Sequence, residues 1–445
     1  MGDRWIKSLR LTVRKVGMYM ESVLIWMAIA ILIGVCCGLL GSAFHIGVDS
    51  ATEIRAEHPW LLFTMPLIGL LIVALYKFCH TVGQGTNDIL DAANDGNRLT
   101  IWLVPSIFFG TVLTHLAGGS SGREGAALQM GGSIGQNIGK LFKFKEHDLK
   151  VATMCGMAAF FSALFGTPFA AALFAIMVSS VGTFVHMAFF PCLISSLTAY
   201  VLSMRLGVEP TRFAITVPAF SVEMLARVAL ISCIFALLSV IFCEVMHKTE
   251  DLMKKGFLAD PLKRVVFGGL LLIVLTLLSG TTDYNGAGMN VIVRAVEQGQ
   301  ARPEAFLMKL LFTAITLSAG YKGGEVVPSF FVGATFGAVA APFFGIPAGF
   351  GAALGLIGVF CGATNCMLSS IILSIELFGS EGVLFFALLC SICYILSGYS
   401  GLYSSQIILF SKVHADYLKV KTNHHHLNLE KPQPENMNVY REDDE

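Results

Sequence analysis

Long apolar runs separated by short polar loops fill most of this sequence. They cover Val23 to Val48, Trp60 to Phe78, Ile101 to Leu116, Val151 to Leu202, Met224 to Val245, Val265 to Leu278 and Phe306 to Leu317, then continue almost unbroken from Val326 to Leu396. A helix needs about 20 apolar residues to cross a bilayer, so these runs predict roughly ten to fourteen crossings, several of them short. The expected fold class is an all-α polytopic membrane protein. Glycine and proline interrupt the short runs. Irregular backbone at membrane depth survives only where protein or a water-filled cavity satisfies its N–H and C=O groups. The interruptions therefore mark a pathway.

The two strongest interruptions, Ala117 to Gly132 and Ala319 to Ala334, align without a gap. Gly118 falls on Gly320, Gly122 on Gly324, Gly131 on Gly333 and Gly135 on Gly337, a constant offset of 202 residues. The stretch from Phe160 resembles the stretch from Val359 at a nearby offset. Broken helices at matching places in two halves point to a transport site where the repeats meet, near mid-membrane, and inversion of one half is expected. The predicted organisation is a cytoplasmic segment 1–22, a membrane domain 23–411 with halves of roughly 23–205 and 224–411, and a polar tail 412–445 without CBS domains. From His414 onward that tail is expected to be mobile in water.

Composition agrees with lipid exposure. Apolar residues make up 55% of the 445 and charged residues 13%, and mean hydropathy is +0.71, more than a water-soluble core of this size hides. Thirty basic and thirty acidic residues cancel, which excludes the basic field of a nucleic-acid binder. The charges gather at Arg4 to Lys15, Lys140 to Lys150, Lys248 to Arg264 and beyond Lys412, all rich in Lys or Arg. The positive-inside rule places these stretches, and so both termini, in the cytoplasm of a plasma (inner) membrane protein. The 11 cysteines lie almost wholly in apolar segments, so Cys390 and Cys393 read as buried packing rather than a redox or metal pair. His424, His425 and His426 read as a solvated trio. No nucleophile–base pair, metal-ligand set or phosphate loop is present, so neither an enzyme nor a cofactor is expected.

Gly122-Arg123-Glu124-Gly125 sets two full charges between apolar helices, and ionisable residues at that depth are functional by default. The plain alternative is a structural ion pair. A helix starting near Gly125 aims its free N–H groups and positive dipole end at whatever precedes it, which is an anion site. Burial and helix-end N–H groups act on a carboxyl in opposite senses, so Glu124 can occupy such a site when ionised and leave it when protonated. It is the candidate gate and proton carrier.

These residues resemble the CLC anion channels and proton exchangers. Gly122-Arg123-Glu124-Gly125 is joined, in the family's order, by Gly83-Gln84-Gly85-Thr86-Asn87, Gly323-Gly324-Glu325-Val326-Val327-Pro328 and Gly401-Leu402-Tyr403-Ser404. The resemblance implies a homodimer in a lipid bilayer, each subunit with its own anion path. That path is lined by the turn from Gly85 through Thr86 to Asn87, the gate Glu124 with Gly122, Arg123 and Gly125, the backbone at Val326, and the Tyr403 hydroxyl.

Departures from the family refine the expectation. Chloride-handling members resemble Gly-Ser-Gly-Ile-Pro at the first turn; here Thr86 is the preferred hydroxyl, with Gln84 the alternative under a shifted alignment. A Gly-Gly-Ile-Phe-x-Pro pattern becomes one carrying Glu325, with Lys322 nearby to tune or pair with it. The internal glutamate of the chloride exchangers has no counterpart around Phe174 to Val178. The combination looks like the fluoride/proton antiporter branch. Stripping water from small, strongly hydrated fluoride demands strong, close donors, for which Glu124 and Glu325 are candidates. Transport of fluoride against protons is therefore expected, with a chloride/proton exchanger or a passive anion channel as alternatives. Glu376 and Glu381 read as packing or interfacial residues before any proton route.

Overall fold

The computed structural model describes residues 2–413 and 417–423; His424, His425 and His426 lie outside the described residues. The first half contains α1 (Gly2–Glu57), α2 (Met65–Phe78), α3 (Thr86–Asp95), α4 (Leu103–Ala117), α5 (Glu124–Leu141), α6 (Glu146–Phe165), α7 (Pro168–Met177), the short strand β1 (Ser180–Val181) and α8 (His186–Arg205). The second contains α9 (Val222–Met253), α10 (Pro261–Ser279), α11 (Met289–Gln298), α12 (Ala305–Ala319), α13 (Val326–Ala340), α14 (Ala348–Thr364), α15 (Met367–Phe378) and α16 (Val383–Leu396). Strands β2 (Ile407–Phe410) and β3 (Tyr417–Lys421) follow. Among the described residues, seven helices are long and apolar enough to cross a membrane and six more are apolar but shorter. That agrees with the expected mixture of full and broken crossings.

The predicted first span lies within one unbroken helix, α1, of 56 residues. Helix starts elsewhere follow local chemistry. The Ser221 hydroxyl accepts the Met224 N–H at the head of α9. Asp260 accepts the Leu262 N–H at the head of α10, with Pro261 in the first helical position, where its missing N–H costs nothing.

The repeat read from sequence is a repeat of structure. Helices α4 and α12 end on the glycines 202 residues apart, Gly118 and Gly320, both with positive φ (92° and 110°). Helices α5 and α13 begin at Glu124 and Val326, again 202 apart. Between them Gly122 and Gly324 form an isolated antiparallel bridge. Each N–H donates to the other's carbonyl at 2.7 Å. Equivalent residues exchanging both bonds across an antiparallel pair are related by a local two-fold axis, as halves running in opposite senses require. The approach is too close for side chains: a Cβ on Gly324 would stand 2.4 Å from the Gly125 nitrogen.

Small residues also let neighbouring helices touch by backbone. A Cβ on Gly156 of α6 would meet the Gly131 carbonyl of α5 at 1.9 Å, and one on Gly355 of α14 would meet Gly333 of α13 at 2.1 Å. The cysteines are free; Cys390 and Cys393 are buried among apolar neighbours.

A three-stranded sheet pairs β1 parallel with β2 and β2 antiparallel with β3. The expected mobility of the tail therefore does not hold for 417–423. The Leu418 to Val420 stretch is short but alternates with charge, as a half-buried strand does; it finds its partner only because β2 lies beside it.

Candidate functional site

Three chain turns and one tyrosine converge. At the first turn, the Gly85 N–H donates to Asp88 Oδ2 at 2.8 Å and fixes the head of α3. Thr86 opens that helix. Its hydroxyl accepts from Gln129 Nε2 of α5 at 3.0 Å. The side-chain oxygen of Gln84 is buried without a hydrogen-bond partner among the described residues.

At the second turn Glu124 is completely buried. Its Oε2 accepts the Arg123 N–H at 2.9 Å and, across the bridge, the Val327 N–H of α13 at 3.4 Å. Its Oε1 has no hydrogen-bond partner among the described residues. The carboxylate thus rests on backbone donors from both halves, the kind of donors that bind a small anion. The Arg123 guanidinium turns elsewhere, to Asp49 at 3.0 Å, and Asp49 in turn meets His45 at 2.9 Å. Its Nε stays 4.0 Å from Glu124 Oε1. What Arg123 offers the site is its backbone N–H, because its long side chain finds a partly exposed carboxylate on α1.

At the third turn Glu325 is the residue preceding α13 and Val326 its first. No ion pair joins Lys322 to Glu325 among the described residues. Instead the Lys322 ammonium lies over the Tyr76 ring, 4.2 Å from its centroid, and its backbone N–H donates to Thr114 Oγ1 at 3.0 Å. The plain alternative of a Lys322–Glu325 pair is not realised, since the ring face competes for the cation.

Tyr403 is 2% exposed and its hydroxyl has no hydrogen-bond partner among the described residues. The backbone around it is held on several sides. Thr422 Oγ1 donates to the Tyr403 carbonyl at 2.6 Å. The Asn423 amide pairs with Gly401 in both directions, at 2.8 and 3.1 Å, and His247 Nε2 lies 2.9 Å from the Gly401 carbonyl. Asn87 Oδ1 accepts the Ser405 N–H at 3.1 Å and Asp91 the Ser405 hydroxyl at 2.9 Å. A buried hydroxyl on a backbone fixed in this way can donate to an acceptor that reaches it.

Gln84, Thr86, Asn87, Lys322, Glu325 and Tyr403 share the wall of one cavity of about 390 Å³. Glu124, Gly122, Gly125 and Val326 do not reach that wall. Gln129, which does, was not singled out from sequence; it is one of three amides in α5, with Gln136 and Asn137, and nothing local sets it apart from them. His247, Thr422 and Asn423 carried no local signal, because their role exists only through contact with distant turns.

Glu376 is occupied elsewhere: its carboxylate accepts the Phe169 and Ala170 N–H groups at 3.0 and 2.8 Å, capping α7 from α15. Glu381 is exposed. No cluster of metal-ligating side chains occurs among the described residues.

A family model described as voltage gated chloride channel matches residues 68–398. The chain is 35% identical over 402 residues to a chloride/fluoride channel protein of Pseudomonas syringae pv. tomato, covering 87% of this chain and 88% of that one. Its structure is similar to that of a CLC-type fluoride/proton antiporter, with a TM-score of 0.83 and 32% identity, over 86% of this chain and 98% of that chain. A slow cyanobacterial Cl⁻/H⁺ antiporter shares the fold, with a TM-score of 0.72 at 20% identity, over 84% and 94% of the two chains.

Proposed function

The chain belongs to the voltage-gated chloride channel family, and from that premise we propose that it exports fluoride in exchange for protons. The observation that carries this reading is the Glu124 carboxylate lying on N–H donors of both repeats. An ionised carboxylate and a small anion compete for those donors. Protonation removes the negative charge that holds the side chain there, so a proton taken up by Glu124 frees the donors for fluoride, and departure of the anion lets the carboxylate return. Each exchange of occupants carries a proton one way and an anion the other.

Fluoride rather than chloride is favoured by the donor set and by the relatives whose names include fluoride. Glu325 adds a carboxyl beside the path, where the protonated form can donate to an anion, and the free Tyr403 hydroxyl can donate as well. Strong, close donors are what a tightly hydrated ion requires. Glu325 lines the same cavity as Tyr403 and Thr86, which suits it to pass protons in place of the internal glutamate missing near Phe174.

The cavity wall includes Lys254 and Arg264, from a loop that the positive-inside rule puts in the cytoplasm. The cavity is accordingly read as the cytosolic mouth, with both termini on that side of a plasma membrane and two copies forming a dimer. Reconstitution with a fluoride electrode and an internal pH dye tests the transport reading. Fluoride efflux driving proton uptake supports it; fluoride flux without proton movement indicates a passive channel and overturns it.

A further inference from the structure

A hydroxyl has one proton to donate and two lone pairs that accept, and buried threonines in these helices give the proton to their own backbone. The hydroxyls of Thr114, Thr316 and Thr335 each donate to the carbonyl four residues behind, at 2.8, 2.7 and 2.7 Å. Thr86 has no such carbonyl, because it is the first residue of α3 and a non-helical turn precedes it. The one hydrogen bond of its side chain among the described residues is accepted, not donated: it comes from Gln129 Nε2 at 3.0 Å.

Gln129 stands on α5, five residues beyond Glu124, and is 9% exposed. Its amide reaches from that helix to the head of α3. With a lone pair of Thr86 Oγ1 occupied by this N–H, the hydroxyl proton has to point away from Gln129. Both residues line the cavity. The hydroxyl also lies against the head of α5, since a Cβ on Gly125 would stand 3.7 Å from Thr86 Oγ1. The proton is thereby left for an acceptor arriving in the cavity beside the helix start that carries Glu124.

We infer that Gln129 is a positioning residue: by donating to Thr86 Oγ1 from α5, it aims the Thr86 hydroxyl proton at the anion path. The inference rests on the transport reading and specifies how one donor of that path is held. A donor already aimed loses no rotational freedom when the ion arrives, which matters most for a small, tightly hydrated ion that needs strong, close donors. Only the amide has this effect. An ionised carboxylate at the same place accepts and cannot donate, so it would take the Thr86 proton for itself.

The test is fluoride efflux from proteoliposomes across a range of internal fluoride concentrations, followed with a fluoride electrode. The variants are Gln129→Met and Gln129→Glu, both close to glutamine in size, each made with Thr86, Thr86→Ser and Thr86→Val. A hydrogen bond to an ion is worth about tenfold or more in affinity, so Thr86→Val is expected to raise KM by about tenfold. Gln129→Met leaves the hydroxyl free to turn and should raise KM less; Gln129→Glu reverses the bond and should raise it more than Gln129→Met does. With Thr86→Ser these differences should persist. With Thr86→Val, Gln129→Met should add nothing, and Gln129→Glu only the smaller cost of its charge.

A KM unchanged in Thr86→Val overturns the inference. So does Gln129→Met raising KM equally with and without the hydroxyl, or Gln129→Glu behaving no worse than Gln129→Met, as a mere tie between α3 and α5 would allow. A fall in saturated rate at constant KM has the same meaning. Proton uptake in the same vesicles separates the two levels: coupled efflux with additive effects sinks the role of Gln129 alone, and uncoupled flux sinks the exchange reading.

Discussion

The heads of α5 and α13 share one backbone and use it differently. Under the 202-residue offset Glu124 falls on Val326 and Arg123 on Glu325. In the first half the carboxylate stands on the first helical residue and crosses the bridge to the Val327 N–H. In the second half that position is a valine, which offers no acceptor to the equivalent Gly125 N–H, and the carboxylate precedes the helix and faces the cavity. The residue before the helix in the first half, Arg123, points instead to Asp49. A two-fold backbone supplies matched donors from both directions. Side chains then make its faces unequal: a latched guanidinium on one, an open carboxyl on the other. An exchanger needs both properties, a common site and two distinguishable exits.

Removing the crossing carboxylate is the most severe break of this comparison. Glu124→Gln is expected to abolish proton uptake during fluoride efflux, read with an internal pH dye; proton movement persisting at the wild-type ratio would assign the gate to another residue. Next is the opposite head. Glu325→Gln keeps shape and loses the titratable proton, and with a charged-group hydrogen bond worth about 1.5–3 kcal/mol, fluoride turnover should drop roughly 10- to 100-fold. Turnover equal to wild type would leave Glu325 a bystander of the cavity wall.

A smaller effect is expected where the tail holds the tyrosine. Asn423→Ala removes the amide that pairs with Gly401. Hydrogen bonds of this kind contribute about 1 kcal/mol each, so efflux should slow several-fold while the proton-to-fluoride ratio holds. Loss of coupling instead would mean that Asn423 acts on the gate. Smallest is Asp49→Asn, which releases the Arg123 guanidinium. Such a solvent-screened pair is worth at most about 1 kcal/mol, so the saturated rate should change by less than about fivefold. A larger change would show that the outer latch governs the exchange.

Much of this architecture was legible in one dimension. Apolar run length gave the crossings, because a bilayer imposes a fixed span. The glycine spacing gave the repeat, because only glycine lets backbones meet as Gly122 and Gly324 or Gly131 and Gly156 do. A carboxylate beside a helix start gave Glu124, because open N–H groups attract negative charge. All three are local properties of the chain.

What folding alone decided is which group each side chain meets. Nothing near Arg123 announces Asp49, nothing near Lys322 announces the Tyr76 ring, and nothing in the tail announces that Thr422 and Asn423 will hold the turn at Tyr403. Glu376 reads from sequence as a packing residue, but only the fold shows that the head of α7 is what it meets. In an interior without bulk water a polar group takes the nearest complementary partner that packing provides. That choice depends on helices distant in sequence, so it enters only with the tertiary structure.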